Sequence, residues 1–169
     1  MLGRFYPCMC IDSTYDIDLE QLKKDGKAGV IFDIDNTLVR HGEPADERAL
    51  ELFDRLKKIG IDTCLLSNNK RPRVESFANQ VGSKFIFKAN KPSVAGYKKA
   101  MELMNTSTEN TIFVGDQLFT DVYGANRTGM FSILVKPIHP KEEIQIVLKR
   151  YLEKIVLFFY KRKMAKRGK

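Results

Sequence analysis

Long apolar runs, cysteine and histidine are all scarce in this sequence. No stretch approaches the roughly 18 apolar residues of a membrane-spanning helix, and the first residues lack the continuous apolar segment of a signal peptide. Cys8, Cys10 and Cys64 are too few for a disulfide scaffold. Cys8 and Cys10 alone cannot complete a four-ligand zinc site, because His41 and His139 lie far away in sequence. We therefore expect a reduced, cytoplasmic protein.

Charge is unevenly distributed along the chain. The 169 residues carry a formal net charge of +8, from 29 basic and 21 acidic side chains. Ten of the basic and three of the acidic residues lie in residues 139–169, which gives this tail a net charge of +7 and leaves +1 for residues 1–138. Hydrophobic residues make up 43% of the chain, enough for one globular core. The composition thus predicts a near-neutral domain with a basic C-terminus.

Apolar runs that alternate with helical patterns predict an α/β fold. The alternation is typical of a parallel sheet, here of about five strands, with helices on both faces. We interpret the chain as a single domain, with its core in residues 29–138 and an N-terminal extension, residues 1–28, that packs on it. The predicted strands are residues 29–34, 61–66, 84–87, 111–114 and 131–135, and the predicted helices are residues 44–59, 74–81, 92–104 and 118–128.

Polar side chains mark the ends of the first two of these strands. Asp33 and Asp35 end the first, and Ser67 and Asn68 follow the second. Because parallel sheets bind ligands in the crevice at the carboxyl ends of their strands, we expect these side chains to meet there. Two neighbouring carboxylates stay ionised together only if they share a cation. A hydroxyl and an amide beside them suit an oxyanion.

The next two strands add further charged groups to the same crevice. Lys91 follows the third strand, and Asp116 and Asp121 follow the fourth in the segment GDQLFTD. Carboxylate oxygens suit magnesium, and a lysine suits a phosphate anion. Each motif alone is also typical of a solvated turn, a loop or a helix cap. Their occurrence in order, each after a predicted strand, favours one site for magnesium and a phosphate group.

These motifs resemble those of a known family. DIDNTLV, SN, KP and GDQLFTD match, in this order, the four motifs of the haloacid dehalogenase superfamily, and the resemblance covers residues 29–135. It implies a Rossmann-like fold, and the short gaps between the motifs leave no room for a sizeable cap domain. Asp35 favours a phosphatase over a dehalogenase or an ion pump, which typically lack an aspartate two residues after the nucleophile.

The resemblance also implies roles for the acidic and basic residues of the motifs. Asp33 would be the nucleophile that forms an aspartyl-phosphate, and Asp35 the general acid and then the general base. Ser67 and Lys91 would bind the transferring phosphoryl group.

The cofactor that the resemblance implies is Mg²⁺. Asp33, the backbone carbonyl of Asp35, and Asp116 would ligate it, and Asp121 would support the metal or its water shell. The remaining expected substrate contacts are Asn36, Thr37 and Asn68.

Residues 13–39 carry a closer resemblance, to the YqeG-like branch of subclass IIIA of this superfamily. The stretch is similar, more distantly, to the mitochondrial phosphatidylglycerophosphate phosphatase family. This implies a phosphate monoester substrate from phospholipid metabolism, phosphatidylglycerophosphate. Two alternatives stay open: a phosphatase for nucleotide, nucleic-acid or sugar phosphates, and a non-catalytic binding module on the same fold. The sequence identifies no protein partner.

Residues 139–169 are predicted to form a basic amphipathic C-terminal helix. Its apolar stripe either packs on the core or lies on an anionic membrane, which would place the protein at the inner membrane surface. A nucleic-acid-binding tail is the third alternative, which an apolar stripe favours less. Six of the last nine residues are basic. The stripe consists of Ile144, Val147, Leu148, Tyr151, Leu152, Ile155, Phe158 and Phe159.

Overall fold

The computed structural model describes residues 2–139 and 144–167. In the last helix, the side chains described are those of residues 149–166. Part of the predicted C-terminal segment therefore lies outside the described residues: residues 140–143 and 168–169, together with the side chains of Ile144, Val147 and Leu148 in the predicted apolar stripe.

The described residues form one sheet of six parallel strands. The strands are β1 (Met9–Ile11), β2 (Gly29–Phe32), β3 (Asp62–Leu66), β4 (Lys84–Ile86), β5 (Thr111–Gly115) and β6 (Phe131–Val135). The predicted fold class is confirmed, and the sheet has one strand more than the five predicted. This strand is β1, which lies at an edge beside β6 and has only three residues, fewer than any of the apolar runs from which the strands were predicted.

The helices are α1 (Leu19–Lys24), α2 (Glu47–Lys58), α3 (Arg71–Val81), α4 (Val94–Met104), α5 (Tyr123–Thr128) and α6 (Ile144–Arg167), with short 3-10 helices at Leu2–Phe5 and Thr14–Asp16. Those between β2 and β6 lie where they were predicted, with ends that shift by a few residues, whereas α1, between β1 and β2, was not predicted. The predicted helix 118–128 divides into a π-helix, Leu118–Val122, and α5. In the described residues, no helix or strand lies between β2 and α2, and α3 is the only one between β3 and β4. These connections therefore leave no room for a cap domain.

Two apolar clusters cover the two faces of the sheet. On one face, α2 packs Leu52, Phe53 and Leu56 against side chains of β2 and β3, as its helical spacing predicts. Asp46 begins this helix by accepting a hydrogen bond from the Ala49 N–H at 2.9 Å. On the other face, α4 and α5 cover the sheet around Tyr97, which is fully buried.

The strand order places a switch point between β2 and β5. From β2 the chain proceeds outward to β3 and β4, and it then returns to the other side of β2 with β5 and β6. The connections after β2 and β5 therefore diverge and leave a crevice at the carboxyl ends of these two strands. Asp33 follows β2 directly, and Asp116 follows β5.

Helix α6 packs on the domain with a different face from the one that the apolar stripe predicts. Val156 is buried against Leu118 and Leu134, and Glu153 is buried beside it. The described members of the predicted stripe lie on the opposite side of the helix, where they are 45–63% exposed; they are Tyr151, Leu152, Ile155, Phe158 and Phe159. Among residues 2–139 and 144–167, no helix is long and apolar enough to cross a bilayer.

The contact between α4 and α5 generates a prediction about stability. A Cβ atom at Gly124 would collide with the Tyr97 ring and hydroxyl, whereas one at Gly3 would meet no heavy atom within 4 Å. We expect Gly124→Ala to destabilise the protein by about 1–3 kcal/mol, because the buried ring must move. Gly3→Ala, the matched control, is expected to be neutral or slightly stabilising. Urea unfolding measures both variants, and equal stability would contradict this account of the packing.

Candidate active site

Three buried carboxylates meet in the crevice between β2 and β5. Asp33, Asp116 and Asp121 each offer an oxygen, and these oxygens lie within 4.8 Å of one another. The three residues are at most 6% exposed. Gly115 permits the close approach of Asp121, since a Cβ atom at this position would lie 2.5 Å from the Asp121 Oδ2. The Gln117 N–H donates to this oxygen at 3.0 Å and fixes the carboxylate.

Lys91 lies between two of these carboxylates. Its Nζ donates to Asp33 Oδ1 at 2.6 Å and to Asp121 Oδ1 at 2.7 Å, and the side chain is only 4% exposed. Burial lowers the pKa of Lys91, but the charges of Asp121 and Asp33 outweigh it and raise the pKa above its usual value. Lys91 is therefore a fixed cation in the site.

The carboxylates carry more negative charge than the neighbouring cations balance. Asp33, Asp116 and Asp121 face the single ammonium of Lys91 and the guanidinium of Arg150. Burial, with the charge of Asp121, raises the pKa of Asp33 to about 7 against the opposing effect of Lys91. Burial and the same neighbouring charge raise the pKa of Asp116 well above its usual range. Hard oxygen donors with excess negative charge fit a divalent cation.

Polar residues after β2 and β3 support this cluster. The Thr37 hydroxyl donates to Asp116 Oδ1 at 3.1 Å and lies 3.5 Å from Asp33 Oδ2. Asn36, with a φ of 64°, forms the turn that brings Thr37 there. Ser67 is buried, and its hydroxyl accepts from the Asn69 N–H at 3.1 Å.

Asn68 holds the segment that carries Lys91. Its Oδ1 accepts from the Lys91 N–H at 2.7 Å, and its Nδ2 donates to the Lys91 carbonyl at 3.4 Å. Both polar atoms of the amide thus bind backbone and position the lysine. The roles predicted for Asn36, Thr37, Ser67 and Asn68 towards a substrate stay predictions.

Asp35 has a different set of partners from Asp33. Its carboxylate accepts from the Gly42 N–H at 2.8 Å, from Asn69 Nδ2 at 2.6 Å and from Arg73 at 2.9 Å. The two aspartates share no partner among the hydrogen bonds of the described residues. Asp35 therefore lies beside the three-carboxylate cluster in its own polar setting, which suits a separate chemical role.

Arg150 and Glu153 of α6 belong to the site, and the sequence analysis missed both. Arg150 donates from Nη1 to the Asp116 carbonyl at 2.5 Å and from Nη2 to the Asp116 carboxylate. Glu153 accepts from Arg150 at 3.0 Å and from the Leu118 N–H at 2.7 Å. An R-x-x-E spacing places both side chains on one helical face, but the longer apolar stripe in the same segment masks this signal.

Comparisons with known proteins identify the family to which this fold and its buried acidic site belong. The sequence model of the haloacid dehalogenase-like hydrolase family matches residues 43–129, and the chain belongs to this family. It is 37% identical to a probable phosphatase of Bacillus subtilis, YqeG, over 96% of each chain. Within the family the chain is a phosphatase, so the alternative of a non-catalytic module is wrong.

More distant relatives fit the same assignment. The chain is 29% identical to phosphatidylglycerophosphate phosphatase 1 of Arabidopsis thaliana over 95% of its own length, and it spans about half (48%) of that protein. The 3-deoxy-D-manno-octulosonate 8-phosphate phosphatase of Yersinia pestis has the same fold, with a TM-score of 0.57 and 19% identity over 77% of this chain and 76% of that one. Family phosphatases generally use a divalent metal, which the acidic cluster fits.

The raised pKa of Asp33 generates a prediction about metal binding. A divalent cation that binds Asp33 must displace its proton, and because the pKa of this carboxyl is about 7, the affinity for the cation should rise with pH. We expect Mg²⁺ to bind at least about tenfold more tightly at pH 8 than at pH 6, as measured by titration calorimetry. Asp33→Asn should weaken this dependence and leave the part that arises from the raised pKa of Asp116. An affinity that is the same at both pH values would contradict the prediction.

Proposed function

We propose that this protein is a Mg²⁺-dependent phosphatase that hydrolyses a phosphate monoester through an aspartyl-phosphate on Asp33. The observation that carries the proposal is the buried cluster of Asp33, Asp116 and Asp121, which is joined to the fixed cation Lys91. Such a site can attract a phosphate group only when the carboxylates are neutralised. Mg²⁺, held by Asp33, Asp116 and the Asp35 carbonyl with support from Asp121, would supply this charge and polarise the phosphoryl oxygens.

The residues of the site would divide the reaction into two displacements. An Asp33 oxygen attacks phosphorus and the bond to the leaving oxygen breaks, while Asp35 donates a proton to that oxygen. Asp35 then accepts a proton from water, which attacks phosphorus and releases phosphate and the free Asp33 carboxylate. Lys91 would stabilise the phosphoryl charge in both steps, together with Ser67. Arg73, Asn69 and Gly42 hold Asp35 in position.

Replacing the nucleophile tests the first step. Asp33→Asn should abolish hydrolysis of 4-nitrophenyl phosphate in the presence of Mg²⁺, because the amide is a poor nucleophile of nearly the same shape. Asp54→Asn is the control, since Asp54 lies on the surface in an exposed ion pair with Lys58. Substantial turnover by purified Asp33→Asn protein would disprove the mechanism.

Replacing Asp35 tests proton transfer separately. Asp35→Asn should lower turnover of an alkyl phosphate by roughly 10²–10⁴-fold. A good leaving group needs no proton, so with 4-nitrophenyl phosphate the variant should still form the aspartyl-phosphate and accumulate it. Intact-mass spectrometry after acid quench detects this adduct. Full activity of Asp35→Asn on an alkyl phosphate would refute the acid and base role.

The substrate that we propose is a lipid phosphate monoester, phosphatidylglycerophosphate. Two observations support it: the similarity to the Arabidopsis phosphatidylglycerophosphate phosphatase and the exposed apolar face of α6. A sugar phosphate is the second candidate, because the chain is also 28% identical to a glyceraldehyde 3-phosphate phosphatase of Pyrococcus furiosus over 83% of its length. Hydrolysis of both esters by the purified protein, compared at equal concentrations, distinguishes these candidates.

The outer face of α6 supports peripheral binding to an anionic membrane. Tyr151, Leu152, Ile155, Phe158 and Phe159 form its exposed apolar centre. Lysines and arginines follow this centre or flank it. Near an anionic surface, each contributes about 1 kcal/mol to the free energy of membrane binding. The exposed basic side chains described in α6 are Lys149, Lys154, Lys161, Arg162, Lys163 and Lys166.

Vesicle flotation tests this membrane contact. The full chain should float with vesicles that contain anionic lipid at low salt and should be released by high salt, because the attraction is screened beyond about 10 Å at 0.1 M. Ile155→Glu/Phe158→Glu should abolish flotation. Leu50→Glu/Leu103→Glu, which also changes two exposed apolar residues but lies elsewhere, should not. Failure of the unmodified protein to float at low salt would exclude this role for α6.

A further inference from the structure

A groove of about 550 Å³ runs between the inner side of α6 and the β1–β6 edge of the sheet. Apolar atoms form most of its surface, chiefly from the ends of two strands and from the helix. The apolar lining residues are Ile11, Leu134, Val135, Pro137, Leu157 and Tyr160. Nothing in the proposed phosphoryl transfer uses this groove, although it is larger than the space that a phosphate group needs.

The inner end of the groove lies against the catalytic cluster. Asp116 lines it, and Arg150 stands at the junction with two hydrogen bonds to Asp116. The Asp116 carboxylate lies within 4.8 Å of those of Asp33 and Asp121. A molecule with its phosphate monoester at Asp33 therefore has this groove directly beside it.

Basic side chains surround the apolar surface of the groove. Lys136, Lys154 and Lys161 line it together with Arg150, against the carboxylates of Asp12 and Glu153 outside the catalytic cluster. The ion pair of Lys136 with Asp12 is exposed on both sides (71% and 75%), so it contributes little and leaves the lysine available. The lining thus has an excess of positive charge, which suits a second anionic group on the bound molecule.

The outer rim of the groove continues into the exposed apolar face of α6. Arg150, Lys154, Leu157 and Lys161 follow one another at helical spacing and form the helical wall of the groove. The Lys154 Nζ lies 5.1 Å from the centre of the Tyr151 ring, which is 63% exposed and belongs to the outer face. An apolar chain in the groove can therefore leave it at the surface that we propose to contact lipid.

We infer that this groove is the binding site for the non-reacting part of the substrate, an amphipathic ester with an apolar chain and a second, internal phosphate group. The inference rests on the proposed function, which it extends from the reacting phosphate to the rest of the molecule. The second phosphate lies near Arg150 and Lys154, and the acyl chains follow the apolar lining towards the rim. A small sugar phosphate would leave the groove empty and gain nothing from it.

Kinetics with a monomeric lipid test the charged wall without involving a membrane. The substrates are dihexanoyl phosphatidylglycerophosphate below its micellar concentration and 4-nitrophenyl phosphate, both with Mg²⁺ and the full chain. In Lys154→Glu/Lys161→Glu, kcat/KM for the lipid relative to that for the aryl ester should fall at least tenfold. Lys57→Glu/Lys98→Glu makes the same charge change at two exposed helical positions outside the groove and should alter this ratio less than twofold.

The outcomes separate the groove from the phosphatase reaction. If the unmodified protein hydrolyses neither ester, the proposed function fails. If it hydrolyses the aryl ester but not the lipid, or if the groove variant keeps the ratio of the unmodified protein, the phosphatase reaction stands and the assignment of the groove is overturned.

Cysteine alkylation gives a second readout that does not depend on activity. Cys10 lines the groove and Cys8 does not, and both cysteines are exposed residues. Dihexanoyl phosphatidylglycerol, a product analogue, should slow the reaction of Cys10 with N-ethylmaleimide at least fivefold and leave that of Cys8 unchanged, as followed by peptide mass spectrometry. Unchanged labelling of Cys10 at saturating lipid, or equal protection of the two cysteines, would overturn the assignment.

Discussion

The repulsion among three buried carboxylates is the constraint on which the site depends. Asp33, Asp116 and Asp121 lie within 4.8 Å of one another, where each pair of ionised groups costs roughly 3 kcal/mol at an effective dielectric constant of about 20. Lys91 and Arg150 offset part of this cost, and the proposed cation would offset the rest. The same repulsion makes the site selective for ligands that bring positive charge with them, or that arrive only after a metal ion.

The parallel strands make this crowding possible. The carboxyl ends of β2 and β5 are neighbours in the sheet, so Asp33 and Asp116 meet although 82 residues of sequence separate them. Neighbouring residues then position the charged side chains: the Asn68 amide binds the Lys91 backbone, and Gly115 leaves space for Asp121. The folded structure therefore holds the like charges together before any ligand binds, which is typical of preorganised sites.

Sequence patterns predict the centre of this protein better than its margins. The buried runs of β2, β3, β5 and β6 are continuous and apolar, and the acidic motifs at two of their ends could be placed on one sheet edge. β1 could not be predicted, because its three residues are stabilised by pairing with a strand more than 120 residues away.

The polar details depend on partners that no local pattern contains. The Asn68 amide, for example, binds the backbone of Lys91, which lies 23 residues further along the chain. In α6 the apolar periodicity does identify a face, but burial of Arg150 and Glu153 directs that face outward. The periodicity of a helix shows which of its residues share a face, but it does not show which face packs on the domain. In α6 the contacts of Arg150 with Asp116 and of Glu153 with Leu118 decide this.

The pairing of β1 with β6 has a consequence for biosynthesis. Cys8, near the start of the chain, donates its N–H to the Ser132 carbonyl at 3.0 Å, and Asn126 binds the carbonyls of Arg4 and Tyr6. Of the six strands of this sheet, β1 is translated first, and it waits unpaired until β6 has also left the ribosome. A strand of only three residues offers little edge for pairing with another chain during that wait, which gives a physical reason why this edge strand is short.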